Sequence, residues 1–121
     1  GVQHPLTVHG TGAQQRAFVH VRDASQALQT ALEQPTSGES TPVFNVIGQN
    51  ASVNAVVEAV RSVEPDISVR HTEQDVQTHF DLVASSEKAH SQLGWDPQYT
   101  LADGMHELID CMDAFQPRSM L

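Results

Sequence analysis

A stripe of valines is the most regular pattern in this chain, and it fixes one element before any other. Val53, Val56, Val57, Val60 and Val63 recur at the spacing that puts side chains on one face of an α-helix. Ser52 precedes them where an N-cap belongs, and Pro65-Asp66 ends the run. So short a helix does not hold itself together in water and must lay its apolar face on a second layer. The material for that layer is punctuated by Gly and Pro. Pro5-Leu-Thr-Val-His9 and Ala17-Phe-Val-His-Val21 read as short strands around the turn signal Gly10-Thr-Gly12. Val43-Phe-Asn-Val-Ile47, bounded by Pro42 and Gly48, is apolar enough to read as a strand buried on both faces. Ile67-Ser-Val-Arg-His71 alternates as a half-buried strand, and Thr72 to Val83 is polar and ambiguous.

Three further helices complete the pattern. Asp23 stands as the N-cap of a helix whose apolar face is Ala24, Ala27, Leu28, Ala31 and Leu32. Ser85 or Ser86 opens a short helix that runs to Leu93 and stops at Gly94. Thr100 and Asp103 have the spacing of a capping box, ahead of an inner face made of Leu101, Met105, Leu108, Ile109, Met112 and Phe115. The expected fold is α/β, a small mixed domain of about four helices and four short strands spanning residues 1–121.

Composition narrows the function classes. The chain has 121 residues, 39% of them hydrophobic, which suits one soluble globular domain and not a disordered segment. It has no apolar run long enough for a membrane span and no signal-peptide layout at Gly1-Val2-Gln3-His4-Pro5. Six basic against 15 acidic residues, a net charge of -9, argue against nucleic acid and against an anionic membrane. Cys111 is the single cysteine, so neither an internal disulfide nor a cysteine zinc site can form, and a reducing, cytoplasmic setting is expected.

Few motifs carry chemistry by themselves. The loop Gly10-Thr-Gly-Ala-Gln-Gln-Arg16 combines backbone N–H groups with a guanidinium, a pairing that suits an anion, or it is a plain hairpin connection with a surface arginine. Of the seven histidines, His4, His9, His20, His71, His79, His90 and His106, no two stand at i, i+2 or i, i+4, so no metal site is expected. Ser85-Ser86-Glu-Lys88 reads as a helix start with a surface lysine before it reads as a nucleophile pair. Cys111 reads as a packed thiol, and Trp95 as a cover on the core where helix turns to loop.

Taken in order, these pieces resemble the extended short-chain dehydrogenase/reductases, the NAD-dependent nucleotide-sugar epimerases and dehydratases. Pro5 to Asp23 is similar to their P-L-x-[IV]-[YF]-G-x-G-x-Q-x-R-D-[FY]-[VI]-[YH]-V-x-D segment. Phe44-Asn-Val-Ile-Gly48, Ser52, Ala84-Ser-Ser-Glu-Lys-Ala-His-Ser-Gln-Leu-Gly-Trp-Asp-Pro97 and Leu101-Ala-Asp-Gly-Met105 follow in the family's order, and the resemblance covers nearly the whole chain. The Pro-Leu-Thr-Val start and the Val-Arg-Asp run look somewhat like UDP-sulfoquinovose synthases.

The resemblance implies the C-terminal, substrate-binding part of such an enzyme without its Rossmann half. Arg16 matches the arginine that contacts the substrate diphosphate, His9 stands where Tyr or Phe packs near the nucleotide base, and Val8 and Leu6 would line the same pocket. The pattern departs at Ala17 and Ser85, each in place of Asp, and the second diphosphate arginine has no match near Asp75 to Thr78, with only Arg70 close. The G-x-x-G-x-x-G spacing that admits NAD is missing. So is the Tyr-x-x-x-Lys dyad, since Tyr99 is followed four residues on by Asp103 and Lys88 is preceded four residues earlier by Ala84. No cofactor is therefore expected on this chain, although the parent family uses NAD, and no activity is expected from it alone. Two functions stay open: the nucleotide-sugar-binding portion of an epimerase or dehydratase, or a stand-alone non-enzymatic module that binds a partner or forms a homo-oligomer. Either way, the apolar surface a Rossmann partner would cover has to be hidden.

Overall fold

A computed structural model describes residues 5–35, 41–73 and 80–112. The elements run β1 (Leu6–His9), β2 (Gln15–Phe18), α1 (Val21–Leu32), β3 (Gln49–Ser52), α2 (Val53–Val63), β4 (Val69–Thr72), α3 (Glu87–Leu93) and α4 (Leu101–Met112). The strands form two ribbons. β1 pairs in parallel with β4, Leu6 opposite Val69 and His9 opposite Thr72. β2 pairs antiparallel with β3, Gln15 opposite Ser52 and Phe18 opposite Gln49. The mixed α/β character and the four helices agree with the periodicities.

α2 begins and ends where its sequence says. Ser52 Oγ accepts from Ala55 N at 3.1 Å, and Val57 and Ala59 are buried. The Gly10–Arg16 loop docks on the start of this helix: Val53 N donates to Gln14 O at 3.1 Å and Asn54 N to Gly12 O at 2.9 Å. Gly12 is required at that docking. Its φ is +75°, and a Cβ there would lie 2.1 Å from Asn54 Oδ1. At α4 the capping box forms in both directions, Asp103 N to Thr100 Oγ1 at 3.1 Å and Thr100 N to Asp103 Oδ2 at 2.8 Å. The bond from the Thr100 N–H, and after it the Thr100 hydroxyl, hold the Asp103 carboxyl below its ordinary pKa. Gly94 ends α3 at φ +66°.

The core joins Ala27, Ala89 and Trp95, with Phe44, Val46 and Leu93 packed against them. Trp95 covers the α3–loop junction as expected and donates its indole N–H to Asp23 O at 3.0 Å.

Several expectations are overturned. Asp23 does not cap its helix. The helix starts three residues earlier because the His20 ring supplies the cap, Nδ1 accepting from Arg22 N at 3.0 Å. Asp23 then falls on the inner face, 1% exposed, and accepts from Gln98 N at 2.9 Å and Tyr99 N at 3.0 Å. It clamps a loop 75 residues away in sequence instead of its own first turn.

Residues 43–47 are not a strand, and Val43 is 74% exposed. In an extended segment alternate residues present their backbone groups to opposite edges. One edge is held by side chains: Ile47 N donates to Ser86 Oγ at 2.7 Å, Ser86 Oγ donates to Ile47 O at 2.8 Å, and Lys88 Nζ donates to Val43 O at 2.9 Å. On the other edge, no hydrogen bond among the described residues reaches the backbone of Phe44 or Val46. The strand of this region lies just beyond, at Gln49–Ser52.

The apolar face expected on α1 is also divided. Ala27 is buried, but Leu28 is 69% and Leu32 86% exposed. On α4, Leu108 and Met112 are exposed rather than inner, and Phe115 lies outside the described residues. Cys111 is exposed and not packed, because the α4 face that carries it looks onto an open groove.

Candidate functional site

The four residues expected to touch substrate sit on the two ribbons. Leu6 and Val8 belong to β1, where Leu6 is half-buried and Val8 is fully buried. His9 is exposed at the end of β1, its Nδ1 2.9 Å from Thr72 Oγ1. Arg16 is half-buried on β2 opposite Ala51. Its Nη1 donates to Gln15 O at 2.7 Å and to Phe80 O at 2.8 Å, and the guanidinium stands 6.0 Å from the Phe80 ring centroid. Asp81 is close by, accepting from Gln15 N at 2.8 Å. The arginine is thus anchored across to residues 80–82, where Leu82 N donates to Gln15 O at 2.9 Å. Neither His9 nor Arg16 lines any of the cavities described below. Arg70 is exposed on β4, while His4, His79 and Asp75 to Thr78 lie outside the described residues.

The most apolar cavity lies elsewhere. A groove of 430 Å³ opens between the β2–α1 corner and α4, walled by Phe18, Val19, Leu101, Met105 and Leu108. At its polar end is a cluster that no local spacing announces. His20 Nε2 lies 2.7 Å from Glu107 Oε2, and Arg22 Nη2 lies 2.6 Å from the other oxygen of the same carboxylate. The His20 ring stacks on Tyr99 with centroids 4.4 Å apart, and the Arg22 guanidinium stands 5.7 Å from the same Tyr99 ring. Tyr99, and after it Glu107, raise the Arg22 pKa above its ordinary value. The residues at 20–22, 99 and 107 come from three separate segments, so only the fold brings them together.

A second cavity, of 310 Å³, is lined by Ser86, His90 and Asp96 among others. His90 Nδ1 is 2.6 Å from Asp96 Oδ1, but Ser86 Oγ is committed to both backbone groups of Ile47. The serine there is a strut for residues 43–47, not a nucleophile. Among the described residues no group of three metal-ligating side chains converges. No described helix is long and apolar enough to cross a membrane.

Comparison with known proteins places the chain. Residues 1–108 match the family model described as GDP-mannose 4,6 dehydratase. The dTDP-D-glucose 4,6-dehydratase of Mus musculus is 29% identical over 114 residues, covering 85% of this chain and 30% of that protein. The UDP-glucose 4-epimerase of Corynebacterium glutamicum is 35% identical over 91 residues, covering 74% of this chain and 27% of that protein. Among solved structures, UDP-glucuronic acid 4-epimerase of Bacillus cereus, in complex with UDP-glucuronic acid and NAD, superposes with a TM-score of 0.79 at 24% identity, covering 94% of this chain and 37% of the epimerase. The UDP-glucose 4-epimerase of Thermotoga maritima superposes with a TM-score of 0.78 at 21% identity, covering 93% and 36%. The chain thus spans about a third of the length of its relatives. With the family model matched from the first residue to within α4, the chain belongs to the GDP-mannose 4,6-dehydratase family, the nucleotide-sugar dehydratases and epimerases of the extended short-chain dehydrogenase/reductases.

Proposed function

We propose that this chain is the nucleotide-sugar-binding portion of an NAD-dependent epimerase or dehydratase, and that it works only alongside a dinucleotide-binding half. The observation that carries this reading is a surface prepared on two sides. Ala27 packs one face of α1 into the core, while Val21, Leu28 and Leu32 form a second apolar stripe on the opposite face, exposed to solvent. Among the described residues, the backbone edge of Phe44 and Val46 also has no hydrogen-bond partner. An exposed apolar helix stripe, and an extended segment with no strand partner among the described residues, are what a further sheet layer would cover and pair.

The chain's own residues do not fit NAD. Among the described residues the glycines at positive φ are Gly10, Gly12 and Gly94. The first two precede a strand and the third closes α3, so none opens a helix whose N-terminus could hold a pyrophosphate. Tyr99 is stacked on His20 and has no lysine four residues on, so no proton-transfer step is assigned to this chain. For the substrate, Arg16 takes the diphosphate beside His9, once the guanidinium turns from the Phe80 carbonyl. The relatives' names range over dTDP-glucose and UDP-glucose and give no preference for sulfoquinovose synthases.

The test is a titration of UDP followed by NMR on the wild type and on Arg16→Ala. With one of two arginines, affinity is expected near the millimolar range, about 4 kcal/mol, weakening with salt. Equal shifts in both proteins, or none near His9, would end the substrate-binding reading. The same exposed stripe favours a second reading, self-association of a non-enzymatic module. Sedimentation distinguishes it: Leu28→Asp with Leu32→Asp would dissociate such an oligomer, whereas a wild-type species already at 13.2 kDa would exclude it.

A further inference from the structure

Both ring nitrogens of His20 are committed, and the two commitments select one tautomer of the neutral ring. Arg22 N is a backbone donor, so Nδ1, 3.0 Å away, accepts and carries no hydrogen. The neutral ring then holds its one hydrogen on Nε2, facing Glu107 Oε2 at 2.7 Å. The ring is stacked on Tyr99, and its Cδ2 edge faces Gly104 of α4, where a Cβ would come within 3.5 Å. Its side chain is 8% exposed.

We propose that His20 is a proton-operated latch on the first turn of α1, holding that turn only while the ring is neutral. Adding a proton at Nδ1 would point a second N–H at the Arg22 amide, and two donors cannot share that bond. The cap is lost, although nothing else in the helix has changed.

The charged groups around the ring pull in opposite directions. From α1, the Arg22 guanidinium repels an imidazolium and competes for the same carboxylate. From α4, Glu107 attracts it directly. Asp103, which interacts electrostatically with both His20 and His106, adds a more distant attraction, and a charged His106 would oppose it. From the 98–100 loop, Tyr99 contributes only its ring face. The acid form is therefore a ring drawn to α4 and released from α1. His20, Val21 and Glu107 also line the 430 Å³ groove, so the latch lies in the groove's wall. This inference does not depend on nucleotide-sugar binding.

The experiment uses the whole chain and two NMR readouts. Long-range ¹H–¹⁵N correlations are expected to show the Nε2–H tautomer of His20 at about pH 8. As the pH falls to about 5, hydrogen-exchange protection of the Arg22 amide should drop at least about five-fold, close to 1 kcal/mol, in step with the His20 ring. His20→Asn keeps a side-chain acceptor at every pH, so its Arg22 protection should stay flat. Glu107→Gln keeps an acceptor for Nε2–H and removes the attracting charge, so the midpoint should move to lower pH. An Nδ1–H tautomer would overturn the proposal. So would Arg22 protection that ignores the ring titration, or a pH dependence retained in His20→Asn. If His20→Asn fails to fold, the tautomer and the Arg22 protection of the wild type still decide.

Discussion

Replacing Asp23 should cost more than any other single carboxylate in the described chain, and the amount follows from two bonds. Its oxygens accept from Gln98 N at 2.9 Å and Tyr99 N at 3.0 Å, and the residue is 1% exposed. Hydrogen bonds to a charged group contribute about 1.5–3 kcal/mol each, and an orphaned buried donor costs about 1–3 kcal/mol. Gln98 is exposed and Tyr99 half-buried, so water recovers part of the loss at the first and little at the second. Asp23→Ala should therefore destabilise by about 2–4 kcal/mol, a large share of a typical 5–15 kcal/mol. Asp23→Asn keeps the shape and one acceptor but turns an amide toward a backbone donor, and should lose about half as much. Urea denaturation followed by Trp95 fluorescence suits the site, because the indole donates to the Asp23 carbonyl. With a urea slope of about 1–1.5 kcal/mol/M, the Asp23→Ala midpoint should fall by at least about 1.3 M. A fall below about 0.5 M would refute the clamp, as would Asn and Ala variants of equal stability.

Three further outcomes follow from local geometry. Gly12→Ala should destabilise by about 1–2 kcal/mol, from the left-handed backbone, and should displace Asn54 from the Thr11 carbonyl; an unchanged melting temperature would contradict this. Ser86→Ala removes both bonds to Ile47 and should cost about 1–3 kcal/mol in denaturant titrations, with faster amide exchange at Ile47. The lowered Asp103 pKa means that this carboxylate stabilises the folded state above its unfolded pKa and loses that effect as pH falls through the depressed folded value. Amide protection at Thr100 should fall over that acid window, and Asp103→Asn should remove most of the dependence.

What the sequence determined by itself is what short-range bonds decide. The α2 valine stripe, its Ser52 cap, the Thr100–Asp103 box and the Gly94 stop all join residues within about four positions, so composition and spacing contain the whole interaction. The ordered motifs from Pro5 to Met105 also carried the family, because their order and spacing reflect a fold the relatives share. Tertiary structure decided where a group's partner is far away. Asp23 looks like a cap until His20 takes that role and the Gln98–Tyr99 backbone comes within reach. The cluster of His20, Arg22, Tyr99 and Glu107 spans 87 positions from His20 to Glu107 and has no periodicity to find. Val43 to Ile47 has the side chains of a buried strand, but a strand is defined by its neighbour. Among the described residues, the edge of Phe44 and Val46 has none.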